Sequence, residues 1–186
     1  MLAALLFVAC GGGSSHPAAP PSTTAPAAAA TTAPPTATTL PDVTPIAADF
    51  VNINTMTRVA DHFVGSLNGH LAAALAVARS ATGGVYPVGT VIQLIPTEAM
   101  VKRRAGYSPS TGDREFFSLQ ASATGTVIKK SGAKVLNFAG LDCASCHVAA
   151  KGRFDFVCAK NHGCAPLPVS DAIIADLQRS DPRPKG

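Results

Sequence analysis

Charge is scarce in this chain. Of its 186 residues, 15 are Lys or Arg and 11 are Asp or Glu, so 14% are charged and the net charge is only +4. The basic residues are scattered as Lys102-Arg103-Arg104, Lys129-Lys130, Lys134, Lys151, Arg153 and a few in the C-terminal tail, without the dense stripe that a nucleic-acid binder needs. They read as a solvated surface, and the sharper alternative is that some of them steer an acidic redox partner. The N-terminus has no basic residue before its apolar run. That run, Met1 to Ala9, is far shorter than the roughly 20 residues that span a bilayer as a helix. Between Gly11 and Pro41 there is no charge at all, and the segment is built almost wholly from Gly, Ser, Thr, Ala and Pro. Such a composition cannot bury enough apolar surface to fold.

These absences give the chain its organisation. Residues 1–10 read as an export signal, because the apolar run ends in Val8-Ala9-Cys10-Gly11, the small-residue and cysteine pattern of a bacterial lipoprotein, with Cys10 as the lipidated residue. Residues 11–41 then form a Pro-rich tether. Residues 42–186 have the size of one domain with a single core. The expected location is extracytoplasmic, in the bacterial cell envelope or periplasm, with the membrane met only through the lipid.

Within that domain, Cys143-Ala-Ser-Cys146-His147 carries the chemistry. Two thiols three positions apart, followed at once by an imidazole, are the attachment pattern of one covalently bound haem c. Each thiol adds to one vinyl group of the porphyrin, and the helical turn between them brings the next side chain under the ring. Cys143 and Cys146 are therefore the expected cofactor anchors, and His147 the axial ligand of the iron. Two other chemistries use similar letters. A structural zinc site could recruit Cys143, Cys146, His147, Cys158, His162 and Cys164. A thioredoxin-like pair would need a βαβ unit, which these residues do not supply. In an oxidising compartment the two cysteines that haem does not need, Cys158 and Cys164, most simply form a disulfide.

The periodicity of the domain predicts an α+β fold. Met56, Val59, Ala60, Phe63, Val64, Leu67, Leu71, Leu75 and Ala78 recur at three and four, which predicts an amphipathic helix from Met56 to Arg79, capped by Thr55 and ended by Thr82-Gly83-Gly84. Five β-rich runs follow: Thr90 to Ile95, Ala99 to Arg103, Glu115 to Gln120, Thr126 to Lys130 and Lys134 to Phe138, with Ser131-Gly132-Ala133 as a hairpin between the last two. A helix at the motif and a last helix over Asp171 to Arg179, packed through Ile173, Ile174 and Leu177, complete an antiparallel sheet covered by helices.

With the haem motif placed after a β-rich region, the chain resembles the cytochrome P-460 family, whose unmodified relatives include the cytochromes c-prime-beta. The resemblance lies in Tyr86-Pro87-Val88-Gly89-Thr90-Val91-Ile92, Gly106-Tyr107, Asp113-Arg114-Glu115-Phe116-Phe117, and Cys143-x-x-Cys146-His147 followed by Ala149, Ala150 and Asp155-Phe156-Val157, over roughly residues 56 to 160. It implies a homodimer, a five-coordinate haem iron with an open distal side, and chemistry on nitric oxide or hydroxylamine. The family's defining members bond a lysine to the haem ring, within a Val-Lys-Glu run. Here those lysine and glutamate positions fall on Leu94 and Ile95. Leucine has no nucleophilic nitrogen, so the cross-link loses its residue. Lys102 in the next strand is the alternative nucleophile, against the plainer reading of a surface lysine.

Two functions follow. One is electron transfer, with a redox partner protein, or reversible binding of a small nitrogenous ligand. The other is a haem-dependent oxidoreductase acting on hydroxylamine or a similar compound. A sixth ligand on the iron, from Met56, Met100, His62 or His70, would indicate electron transfer.

Overall fold

The structure, a computed structural model, describes residues 40–186. The expected export signal, the expected lipid site Cys10 and the expected tether up to residue 39 lie outside the described residues. Six strands form one antiparallel meander in chain order: β1 (Thr57–Val59), β2 (His62–Ser66), β3 (Thr90–Gln93), β4 (Glu98–Lys102), β5 (Arg114–Ser122) and β6 (Gly125–Gly132). Three helices accompany it: α1 (Leu71–Ala78) between β2 and β3, α2 (Cys143–His147) and α3 (Asp171–Arg179). The class is α+β.

Strand alternation gives the sheet two apolar faces. On one, Val64, Ile92, Met100 and Phe116 lie directly opposite one another across four strands. This row joins Ala74, Tyr86, Val135 and Val157 in a buried cluster, against which Leu71, Leu75, Cys143 and Ala144 pack. Helices α1 and α2 thus cover this face. On the other, Val91, Ala99, Val101, Phe117 and Leu119 close over Phe50 and Met56.

The long helix expected from Met56 to Arg79 is replaced by β1, β2 and the short α1. The three-and-four spacing there also satisfies a two-residue period, since Phe63 and Val64 are both buried and point to opposite faces. Ala60 takes φ +52°, turning the chain back on itself before a helix can form. Gly65 weakens a helix further, and in β2 a Cβ there would lie 3.1 Å from the Met56 methyl. The remaining Leu-Ala-Ala-Ala-Leu-Ala-Val-Ala run is rich in strong helix formers and forms α1. Gly83 and Gly84 then turn with positive φ, and Gly84 N donates to Arg153 O at 2.7 Å.

Four of the five expected strands appear as β3 to β6. The hairpin expected at Ser131-Gly132-Ala133, between Thr126 to Lys130 and Lys134 to Phe138, does not form; β6 instead pairs with β5 through a turn at Ser122–Gly125. Lys134 to Phe138 is not a strand. It is held by a single bridge between Leu136 and Asp142 and by Cys143 N donating to Val135 O. Helix α3 starts where expected, with Ser170 Oγ accepting from Ile173 N, but it buries Ile174 and Gln178 while Ile173 and Leu177 stay largely exposed. Gln178 Nε2 donates to the Asp61 and Leu94 carbonyls, which fixes α3 to the sheet's end. Among the described residues no helix is long and apolar enough to cross a membrane.

Candidate functional site

Asp142 starts α2. Its Oδ1 accepts from Ser145 N at 2.8 Å, the bond an N-cap makes, so the helical turn begins at Cys143 itself. One turn then carries Cys143, Cys146 and His147, and the chain tightens into a 3₁₀ turn over Val148–Ala150. Cys143 is half-buried against the cluster under α1, whereas Cys146 is exposed. Burial, helped by the nearby Glu98 and Asp142 carboxylates, pushes the Cys143 thiol up to about 12. On either side of α2, Leu136, Phe138, Leu141 and Val148 remain exposed.

His147 Nδ1 lies 2.7 Å from the Phe156 carbonyl oxygen. A carbonyl can only accept, so the ring carries its proton on Nδ1 and keeps the lone pair on Nε2. Burial lowers the His147 pKa, more than the Phe156 bond raises it, and the Arg114 guanidinium lowers it further. Burial thus favours the neutral form of the ring, which tilts against Phe116 at 5.3 Å with Nε2 free of the Phe156 bond, the tautomer a metal requires.

Two further cysteines are joined to each other: Cys158 and Cys164 Sγ lie 1.99 Å apart, leaving Cys143 and Cys146 as the free thiols among the described residues. This loop does not present His162 as a free side chain. Its Nδ1 donates to Val157 O at 2.7 Å, and its ring stacks on Phe154 at 3.7 Å. Among the described residues no three His, Cys, Asp or Glu side chains converge as metal ligands, so the six residues named for zinc are not gathered into a tetrahedral set.

The proposed sixth ligands separate by face. Met56 packs on the far side of the sheet, where its sulfur accepts from Gln93 Nε2, and His70 is exposed beside the start of α1. Met100 is buried on the face that carries α2. His62 stands two residues before Val64 and so shares that face. It is 3% exposed, with Nδ1 on Asp61 and its buried Nε2 without a partner among the described residues.

Lys102 is not a surface lysine. It is 8% exposed, and its Nζ donates to Asp155 Oδ1 at 2.7 Å and to Gly112 O at 2.8 Å, so the amine is engaged at both contacts. Arg103 is likewise paired, with Asp42 and Glu115, and Arg183 in the tail is buried against Asp181 and the Phe50 carbonyl. Lysine and arginine were expected in solvent because composition counts charges but cannot show which carboxylates meet them. Leu94 sits just past the end of β3, half-buried, and offers only its backbone carbonyl, to Gln178.

Sequence reasoning assigned no role to Asp155, Arg114 or Tyr86. The structure places all three in one buried group: Asp155 Oδ2 accepts from Arg114 Nη2 at 3.0 Å and from Tyr86 N at 2.9 Å, and Asp155 O accepts from Arg114 Nε at 3.1 Å. The available signal was the alternation of β5, which turns Arg114 to the same side as Phe116 and hence inward. Comparison with protein-family models, with curated proteins and with solved structures returns no match.

Proposed function

We propose that residues 42–186 are a monohaem c-type cytochrome domain, tethered by residues 11–41 to a lipid on Cys10 outside the cytoplasm. One observation carries this reading: the two thiols left out of the disulfide among the described residues share a helical turn with an imidazole whose Nδ1 proton is held by the Phe156 carbonyl. Cys143 and Cys146 would hold haem c, His147 Nε2 would ligate its iron, and the exposed apolar side chains beside α2 suit a porphyrin edge. When bound, the haem supplies one-electron chemistry and a site for small ligands. The protein supplies attachment, ligand orientation and an apolar wall.

Electron transfer or binding of a nitric oxide-like ligand is favoured over oxidation of hydroxylamine. Leu94 offers no amine, and Lys102 is committed to Asp155. The relation to cytochrome P-460, the homodimer and an acidic redox partner belong to the same proposal. Haem should remain with the polypeptide after acid-acetone extraction and denaturing electrophoresis, and Cys143→Ala with Cys146→Ala should abolish the haem stain. Stoichiometric zinc with no haem would overturn the reading. Optical spectra of the reduced protein before and after nitric oxide would then separate an open sixth position from one closed by Met100 or His62.

A further inference from the structure

The carbonyl that holds His147 belongs to an unusual piece of backbone. Asp155 and Phe156 both lie in the left-handed region, at φ +47° and +63°. For residues with a Cβ this conformation costs about 1 kcal/mol or more at each position, so something must hold it. Phe156 N donates to Ala150 O at 3.1 Å, and the Phe156 ring lies so close to Gly112 that a Cβ there would meet it at 2.3 Å. The strongest tie is the Asp155 carboxylate. It is buried and accepts from Lys102 Nζ, Arg114 Nη2 and Tyr86 N, while Lys102 also holds the carbonyl of Gly112, the residue beside the Phe156 ring. The group contains two cations and one carboxylate, and Arg114 Nη1 has no hydrogen-bond partner among the described residues beyond the Tyr86 ring below the guanidinium. A buried group so charged is a poor way to gain stability, since apolar residues of similar volume often serve as well. Its geometry points to a task.

We propose that Asp155, clamped between Lys102 and Arg114, is a positioning residue that fixes the Phe156 carbonyl on His147 Nδ1 and so sets how strongly Nε2 donates to a metal. The clamp stands on the geometry alone; its electrochemical consequence rests on the haem reading above. A strong Nδ1–H bond makes the imidazole a better donor and stabilises the oxidised iron. Loosening the carbonyl therefore raises the reduction potential.

Charge alone makes a different forecast, which the experiment uses. Removing the Asp155 carboxylate would raise the potential by its field, but removing the Lys102 cation would lower it. A positioning role makes both raise it. In the full-length haem-loaded protein, Asp155→Asn and Lys102→Met should each shift the equilibrium toward reduced iron by about tenfold, or 59 mV for a one-electron couple, with Lys102→Arg close to wild type. A lower or unchanged potential in Lys102→Met would overturn the proposal. If that variant fails to fold, Asp155→Glu keeps the charge and displaces the carboxylate. A rise supports the clamp, and an unchanged potential sinks it. The ring of His147 provides a readout that needs no haem. In protein produced without haem, the Nδ1 proton should resonate far downfield by ¹H–¹⁵N NMR and lose that shift in Asp155→Asn. Persistence of the shift would overturn the clamp, whereas failure of haem to attach to the wild type would overturn only the haem reading.

Discussion

Two cysteines of one motif occupy different environments, and their reactivity should differ accordingly. Cys143 is half-buried beside Glu98, with its thiol held protonated up to about 12, whereas Cys146 is exposed. Only the thiolate is nucleophilic. In folded, haem-free protein at pH 8, iodoacetamide should therefore modify Cys146 many times faster than Cys143, and mass spectrometry of the peptides would show it. Equal rates would place Cys143 in solvent. The same shift links to stability. An acid whose pKa is raised by folding contributes stability that is complete below its unfolded value, about 8.5, and is lost as pH climbs toward 12. Cys143→Ala should remove that part of the alkaline destabilisation of haem-free protein. On the proposed haem reading, the thioether to Cys143 would have to form before the chain closes around it, whereas exposed Cys146 carries no such constraint. Adding haem to the folded protein should leave Cys143 unlinked.

At the scale of elements, the turn after α1 determines how the region behind the motif is held. Gly83 takes φ +75°, and a Cβ on it would stand 1.8 Å from the Arg153 carbonyl oxygen, a backbone atom that cannot swing aside. Gly84 N donates to that same oxygen. Gly83→Ala should thus destabilise the protein by about 2 kcal/mol or more, from the left-handed backbone plus the forced separation. Denaturant melts would measure it. The displaced segment runs directly into Asp155 and Phe156, so the His147 Nδ1 bond should weaken as well. A change below about 0.5 kcal/mol would mean that the 153–156 segment is not pressed against this turn. The disulfide acts on the same stretch from the other side. Closing Cys158 to Cys164, a separation of 6, removes about 2 kcal/mol of chain entropy from the unfolded state.

For the whole domain, both ends are bound to the sheet by charged groups, half-buried at the start and buried at the finish. Near the start, Asp42 bonds Arg103 and the Arg104 amide, and these hold its carboxyl down to about 2. A carboxylate whose pKa is lowered by folding contributes stability above about pH 4, and this is lost as pH falls toward 2. Near the finish, Arg183 pairs with Asp181 and donates to the Phe50 carbonyl, and Asn52 Nδ2 donates to the Asp181 and Arg183 carbonyls. Ending the chain after Ser180 removes both ions together but strands Asn52 Nδ2 and the Ile53 amide, while the Phe50 carbonyl keeps its bond from Thr126 Oγ1. The expected loss is about 3 kcal/mol, with a lower midpoint in thermal melts. Arg183→Ala alone should cost at least as much, because it leaves Asp181 buried and unpaired. A truncation with an unchanged midpoint would show that the tail is not part of the cooperative unit.

Much of this protein was readable in one dimension. A motif of five adjacent residues needs only one helical turn, so Cys143, Cys146 and His147 come together wherever the turn is placed. The same locality made α3 and β3 to β6 legible, because their periods and turn residues lie within each segment. Cys158 and Cys164 were close enough in sequence to meet by default. The stretch from Met56 to Ser66 was ambiguous because its apolar spacing fits both periods, and only pairing with β3 decided it. Strand alternation could hint that Arg114 turns inward, but the burial of Lys102, Arg114, Asp155 and Arg183 was not legible, because whether a charge lies in water or in the core depends on partners 41 to 133 residues away. The proton on His147 Nδ1 is of the same kind. The residue was evident from its neighbours, but its tautomer was decided by the Phe156 carbonyl, which the tertiary structure alone brings to it.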